Sequence, residues 1–277
     1  MHLVAACLPT GASRASLAGV ATRRMFLASV AGAAAAGVLG APRASAAPAD
    51  PVQAARRYAG QLPTRWGMSM PGVVSTFEAD GRQLALTLDA CDGACDDALL
   101  DTLRRYRVPA VLFVCARWID ANPGKVQRLA ASPLLAIGNH GTRHLPLSVT
   151  GRRAYGIAGT RSAADVVAEV WTNQERLTRL TGRAPVWFRP GTAHYDDVAV
   201  RIVHGLGLTP LGFSVNADNG ATARPAAVRS VITRAMPGSV VIAHMNHPRS
   251  GTAAGLRAAV PAMLDGGWEF VFPPVRR

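Results

Sequence analysis

The chain has 277 residues, 49% of them hydrophobic, enough for one sizeable domain or two small ones with a large core. Thirty basic side chains against 17 acidic ones give a net charge of +13, nearly all of it arginine, since Lys125 is the single lysine. No stretch in the body of the chain is long and apolar enough to span a membrane, and no basic run is interleaved with aromatics as a nucleic-acid surface requires. The arginine excess fits an acidic polymer such as an anionic glycan, or the codon usage of a GC-rich genome.

Residues 1–46 carry Arg14, Arg23, Arg24 and Arg43 and no acid. Arg23-Arg24-Met25-Phe26-Leu27, the Ala-rich run after it and Ala44-Ser45-Ala46 together resemble a twin-arginine export signal with a small-residue cleavage site, with an ordinary Sec signal as the alternative. This predicts a periplasmic or secreted mature chain. Residues 47–80 read as a linker and N-terminal edge segment, and residues 81–277 as the main domain.

In that domain short apolar runs alternate with helical patterns. Strands are expected at Leu84–Leu88, Ala110–Val114, Leu134–Ile137, Val186–Phe188, Leu208–Phe213, Ser239–Ala243 and Trp268–Phe272. Helices are expected from Asp96 or Asp97 to Tyr106, at Lys125–Ala130, from Ser162 to Gly182, at Asp196–Leu206 and after Pro225. The alternation predicts an α/β fold, a distorted, TIM-like (β/α) barrel with about seven parallel strands, with an open doubly wound sheet as the alternative. Cys91, Cys95 and Cys115 remain after the leader. Export permits a Cys91–Cys95 or Cys91–Cys115 bridge, and buried free thiols fit equally well.

Chemically able residues fall just after the expected strands, where parallel folds gather their sites. Asp89 and Asp92 lie at the end of the first strand, above a turn at Gly93. His140 and His144 follow the third strand at a spacing that lets two imidazoles share one cation. Arg189 ends another strand, held extended by Pro190, and is able to grip a carboxylate. His244 ends a buried strand and titrates near neutral pH. His194 and His247 follow these motifs and are candidate substrate contacts, whereas His204 lies on a helix and reads as structural.

Taken in order, these segments resemble the polysaccharide deacetylase family, also called carbohydrate esterase family 4 or the NodB-homology domain. The family's Thr-Phe-Asp-Asp-Gly matches Thr87-Leu88-Asp89-Ala90-Cys91-Asp92-Gly93, with two residues between the acids. Its His-(Ser/Thr)-x-x-His matches His140-Gly141-Thr142-Arg143-His144, its Arg-Pro matches Arg189-Pro190, and its Leu-x-His matches Ile242-Ala243-His244. The motif that usually carries Asp and Trp is reduced to Asn216-Ala217-Asp218-Asn219-Gly220, without Trp, and no aromatic directly follows Pro190.

The resemblance implies removal of N-acetyl groups from amino sugars of an acetylated polysaccharide. One divalent metal would sit on His140, His144 and Asp92; Zn²⁺ is favoured, and Co²⁺ or Ni²⁺ fit the same shell. Asp89 would be the base, oriented by Arg189, which Asp218 would hold in turn, and His244 the acid. Pro190, Gly191, His194 and Tyr195 would contact substrate. The competing readings are hydrolysis of a non-sugar amide on the same fold and a non-catalytic glycan-binding relative.

Overall fold

The computed structural model describes residues 50–276. Residues 1–46, where an export signal is expected, lie outside them. None of the described helices is long and apolar enough to cross a membrane.

The segment before residue 80 holds α1 (Pro51–Arg57) and β1 (Trp66–Gly67). Asp50 caps α1 by accepting from the Gln53 amide, and Pro51 occupies its first turn. In chain order there follow β2 (Gln83–Ala90), α2 (Asp97–Arg105), β3 (Ala110–Val114), α3 (Ala116–Ala121), α4 (Lys125–Ala130) and β4 (Leu135–Asn139). A small antiparallel hairpin comes next, β5 (Arg153–Ala154) and β6 (Ile157–Ala158). Then come α5 (Ala163–Thr181), β7 (Trp187–Phe188), β8 (Tyr195–Asp196), α6 (Asp197–Gly205), β9 (Thr209–Pro210) and β10 (Val215–Asn216). The chain closes with α7 (Pro225–Ile232), β11 (Ser239–His244), α8 (Thr252–Asp265) and β12 (Glu269–Phe270).

The main sheet runs β10-β11-β2-β3-β4-β7-β9, parallel throughout, with β12 pairing the start of β2. Seven parallel strands curl into a partly closed barrel, as the alternation predicts. The two edge strands, β9 and β10, are consecutive in sequence, and residues 74–77 strap across the gap. Val74 bonds to Pro210 and Gly212, and Phe77 to Gly238.

Strand alternation sorts the core into layers. Leu84, Leu86 and Leu88 of β2, Leu112 of β3 and Val241 of β11 face outward into the layer packed under the helices. Ala85, Val111, Phe113, Ala136, Trp187 and Val240 fill the barrel interior. The same parity aims Thr87 and Asp89 inward. β2 is buried along almost its full length, so its near-continuous apolar run is that of a strand covered on both faces.

Two glycines mark close approaches. A Cβ on Gly138 of β4 would lie 2.8 Å from the Phe113 ring, and one on Gly255 of α8 would lie 2.4 Å from Val228 of α7. Gly255 and Pro261 blur the helical pattern of 252–265, a stretch the sequence reading leaves unassigned; a bare backbone there lets α7 and α8 pack closely. Gly138→Ala should overpack the barrel interior and cost about 1–3 kcal/mol, read as a lower denaturant midpoint at unchanged slope.

Candidate metal and catalytic site

The site sits at the C-terminal ends of β2, β4, β7 and β11. Asp89 is buried and accepts from Arg189 Nη1 at 2.8 Å. Arg189 is wholly buried. It also donates through Nη2 to the Gly212 carbonyl at 2.8 Å, and its guanidinium lies 4.3 Å from the Phe113 ring centroid. Burial raises the cost of the Asp89 charge, but Arg189, His140 and His244 together outweigh it, so its pKa lies below the ordinary carboxylate value.

His140 follows β4 and is fully buried. Its Nδ1 donates to the Arg189 carbonyl at 2.8 Å, which leaves Nε2 as the open lone pair, 3.5 Å from Asp89 Oδ2 and 3.6 Å from Cys91 Sγ. The His144 ring lies 4.9 Å from that of His140, and its buried Nε2 has no hydrogen-bond partner among the protein atoms. Burial, with His140 beside it, pushes the His144 pKa down to about 3, so the ring is neutral at physiological pH.

Two features hold this histidine in place. Its backbone has φ 65°, a left-handed conformation uncommon for a residue with a side chain. Glu169 of α5, itself buried, accepts from the amides of Arg143 and Leu145 on either side of it. The Glu169 Oε1 would be 2.6 Å from a Cβ on Gly141, whose φ is 81°, which accounts for glycine where the resembled motif has Ser or Thr. On the other side, a Cβ on Gly191 would be 2.3 Å from the His144 ring.

Cys91 Sγ, His140 and His144 present ligand atoms all within 4.8 Å of one another. These donors fit a divalent cation: one imidazole with its tautomer fixed, one buried nitrogen without a partner, and one thiol. Burial pushes the Cys91 pKa well up, so the free thiol is protonated, and a bound cation would deprotonate it. Cys91, Cys95 and Cys115 are all unpaired.

The expected third ligand, Asp92, is elsewhere. It is half exposed and pairs with Arg117. With Asp89 facing inward, period-2 alternation carries Cys91 inward and Asp92 outward. The expected tie between Asp218 and Arg189 is also replaced. Asp218 accepts instead from His244 Nδ1 at 2.9 Å, the His244 amide at 2.7 Å and Thr252 Oγ1 at 2.9 Å. Burial disfavours the His244 cation, but this bond and the charges of Asp89 and Asp218 outweigh it, so the pKa of His244 is raised. His244 and Asp89 are register partners on neighbouring strands.

Asp89 and His244 open onto a cleft of about 310 Å³, lined also by Met68, Tyr155, Gly191, Thr192, Phe213, Asn216 and Asn219. Of the expected substrate contacts, Gly191 lines this cleft and His194 packs against the Tyr155 ring at its edge. Pro190 is buried outside the lining. Tyr195 is buried too, its hydroxyl bonded to the carbonyls of Phe188 and Leu211, so its role is to brace the barrel. His247 is exposed beside His244, and His204 Nε2 bonds the Gly72 carbonyl. The signal for Cys91 was its i, i+2 spacing from Asp89; Glu169 and Tyr155 carried none.

Residues 77–211 match the family model described as polysaccharide deacetylase. The peptidoglycan-N-acetylglucosamine deacetylase PgdA of Listeria monocytogenes is 27% identical over 194 residues, covering 69% of this chain and 38% of the relative, so the chain spans well under half of that protein. A chitooligosaccharide deacetylase of Rhizobium leguminosarum bv. trifolii is 28% identical over 210 residues, 69% of this chain and 90% of the relative. Among solved structures, a CE4 family pseudoenzyme from Bacillus anthracis superposes with a TM-score of 0.62 at 18% identity, over 74% of this chain and 68% of that one, a likeness of fold alone. The motif residues gather at one end of the curled sheet, and the match to the polysaccharide deacetylase model runs across β2 to β9.

Proposed function

We propose that the chain is an exported, metal-dependent hydrolase that removes N-acetyl groups from amino sugars of a cell-envelope or extracellular polysaccharide. The observation that carries this reading is the pairing of Asp89 and His244 side by side on β2 and β11, each with its own buried partner, beside three metal-type donors. The names of the Listeria and Rhizobium relatives support it, and the twin-arginine leader at Arg23-Arg24 supports export to a compartment where such polymers lie.

His140, His144 and the Cys91 thiolate would hold the cation. Two nitrogens and one sulfur favour Zn²⁺ over harder cations. When bound, such an ion supplies Lewis acidity to the acetyl carbonyl and to water. The chain's own groups move the protons. Asp89, kept ionised by Arg189, accepts a proton as a water oxygen bonds to the acetyl carbon. His244, kept protonated by Asp218, donates to the amide nitrogen as the C–N bond breaks. Acetate and a free amine result. The Asp218–His244 bond fixes the imidazole so that Nε2 is the donor toward the cleft.

A binding-only relative would be expected to lose the groups that move protons. Here Asp89, Arg189, Asp218 and His244 all keep bonded positions.

Acetate release from peptidoglycan and chitin-type oligomers, with and without chelator, tests the activity; no release from any acetylated glycan would refute it. His140→Ala should abolish metal binding and turnover together, whereas His244→Ala should keep the metal and lose about 10²–10⁴-fold in rate.

Cys91→Ser should weaken metal affinity by more than the ~10–100-fold of an outer-shell change, and Asp92→Asn should leave it alone. Cobalt-substituted protein should show a near-ultraviolet sulfur-to-cobalt charge-transfer band that Cys91→Ser removes.

The groups facing His244 are Asp218, Asp89, Arg189 and His247. Because Asp218 raises its pKa, the acid form persists above the ordinary histidine value of about 6.5, and activity falls as pH rises through the raised value. Asp218→Asn should move that alkaline limb to lower pH in a pH–rate profile.

A further inference from the structure

One wall of the cleft has an aromatic surface that none of the resembled motifs supplies. It is built from the β5–β6 hairpin and the segment around β1. Tyr155 lies in the hairpin turn, lines the cleft and is 75% exposed, the most exposed aromatic side chain among the described large hydrophobics. Its ring meets His194 edge to face, with centroids 5.3 Å apart at 88°. His194 lies 5.6 Å from the Trp66 ring and is fixed by a 2.7 Å bond from Nδ1 to the Thr192 carbonyl. Met68 lines the cleft next to them, its sulfur 3.9 Å from the Tyr155 hydroxyl.

The backbone shows that this tyrosine is held there against its own preference. Tyr155 has φ 49° and Gly156 φ 79°, so both turn residues are left-handed. Two-residue hairpin turns of this kind favour Asn-Gly or Asp-Gly, and an aromatic at the first position is strained. The side chain gains no burial in exchange, and its polar contact within the chain is the weak one to sulfur. Strain kept at a cleft edge, for an exposed ring, points to a ligand.

We propose that Tyr155, backed by His194 and Trp66, is the stacking platform for a hexosamine ring of the polymer adjoining the unit whose acetyl group is removed. This rests on the deacetylase reading and names the part of the substrate that it leaves open. The pyranose presents a face of C–H groups that packs on an aromatic ring, while its hydroxyl and acetamido groups remain at the edges for hydrogen bonds. Asn216 and Asn219 line the same cleft and carry amides.

The test separates strain from stacking. Tyr155→Asn suits the turn better, so its thermal midpoint should equal or exceed that of the parent chain. It should nevertheless weaken binding of an N-acetylglucosamine hexamer, followed by Trp66 fluorescence or calorimetry in a His244→Ala background, by about three- to tenfold. Tyr155→Phe should bind as the parent does. The loss should grow with oligomer length, largest on the hexamer and smallest on the monosaccharide.

The platform is overturned if the parent chain does not bind the hexamer. It is equally overturned if Tyr155→Asn binds the hexamer as tightly as Tyr155→Phe, or if all lengths weaken equally. Acetate release is measured separately on the chain with His244 intact, so a binder that releases no acetate would refute the hydrolase reading and leave the platform standing.

Discussion

The buried ion pair of Arg189 and Asp89 is the constraint around which the site is arranged. Two charges taken out of water are costly, and they are tolerated only where geometry and hydrogen bonds compensate them. Here the guanidinium is satisfied by Asp89 and by the Gly212 carbonyl, with the Phe113 ring against it. Gly212 lies in the stretch that joins the two edge strands, so the side chain that keeps Asp89 ionised also anchors that stretch. The Arg189 carbonyl accepts a hydrogen bond from His140 Nδ1–H and thereby directs Nε2 toward Asp89 and Cys91. One residue thus bears on the charge of Asp89, the tautomer of His140 and the anchoring of the stretch between the edge strands. Small residues make this possible: Gly138 leaves room for Phe113, and Gly191 leaves room for His144.

Glu169 does comparable work for the loop that bears His144. Burial raises its pKa, while two backbone amides and Arg143 act against that shift. Its neighbour Asn173 bonds the Val114 carbonyl and the Asn139 side chain, so α5 holds the ends of β3 and β4 as well as the loop after them. A helix far from the cleft in sequence therefore fixes the angle at which two imidazoles converge. A left-handed backbone at a residue with a side chain persists only where its surroundings over-determine it, and these contacts supply that.

Most of the scaffold is legible in the residues because its signals are local. The apolar runs of β2, β3 and β11, the Ser162 cap and the Gly182 stop of α5 each depend on periodicity or on turn chemistry within a few positions. The two-residue strands β9 and β10 are not separable this way, since their pairing comes from the curl of the whole sheet. The 47–80 segment reads as a linker with an edge, yet Asp50-Pro51 is a cap followed by a first-turn proline, and α1 packs Ala54 and Tyr58 against α5 and α6. The groups proposed as catalytic are legible because they fall at strand ends. Their partners are not: which carboxylate holds Arg189 and which holds His244 is decided by register between strands far apart in sequence.

The position of the third ligand shows how a resemblance and a physical rule can disagree. Matching acids to acids assigns Asp92 to the metal, because a carboxylate is what the motif contains. Counting along the strand assigns Cys91, because side chains two apart share a face and adjacent ones do not. The two-residue insertion carries the second aspartate past the end of β2, out to Arg117, and leaves Cys91 beside the two histidines. Exchanging carboxylate for thiolate keeps a single negative charge in the site but replaces a hard donor with a soft one. In the proposed site this exchange would preserve the electrostatics needed to hold a dication near Asp89, narrow the choice of cation and make the site sensitive to oxidants that a carboxylate would ignore.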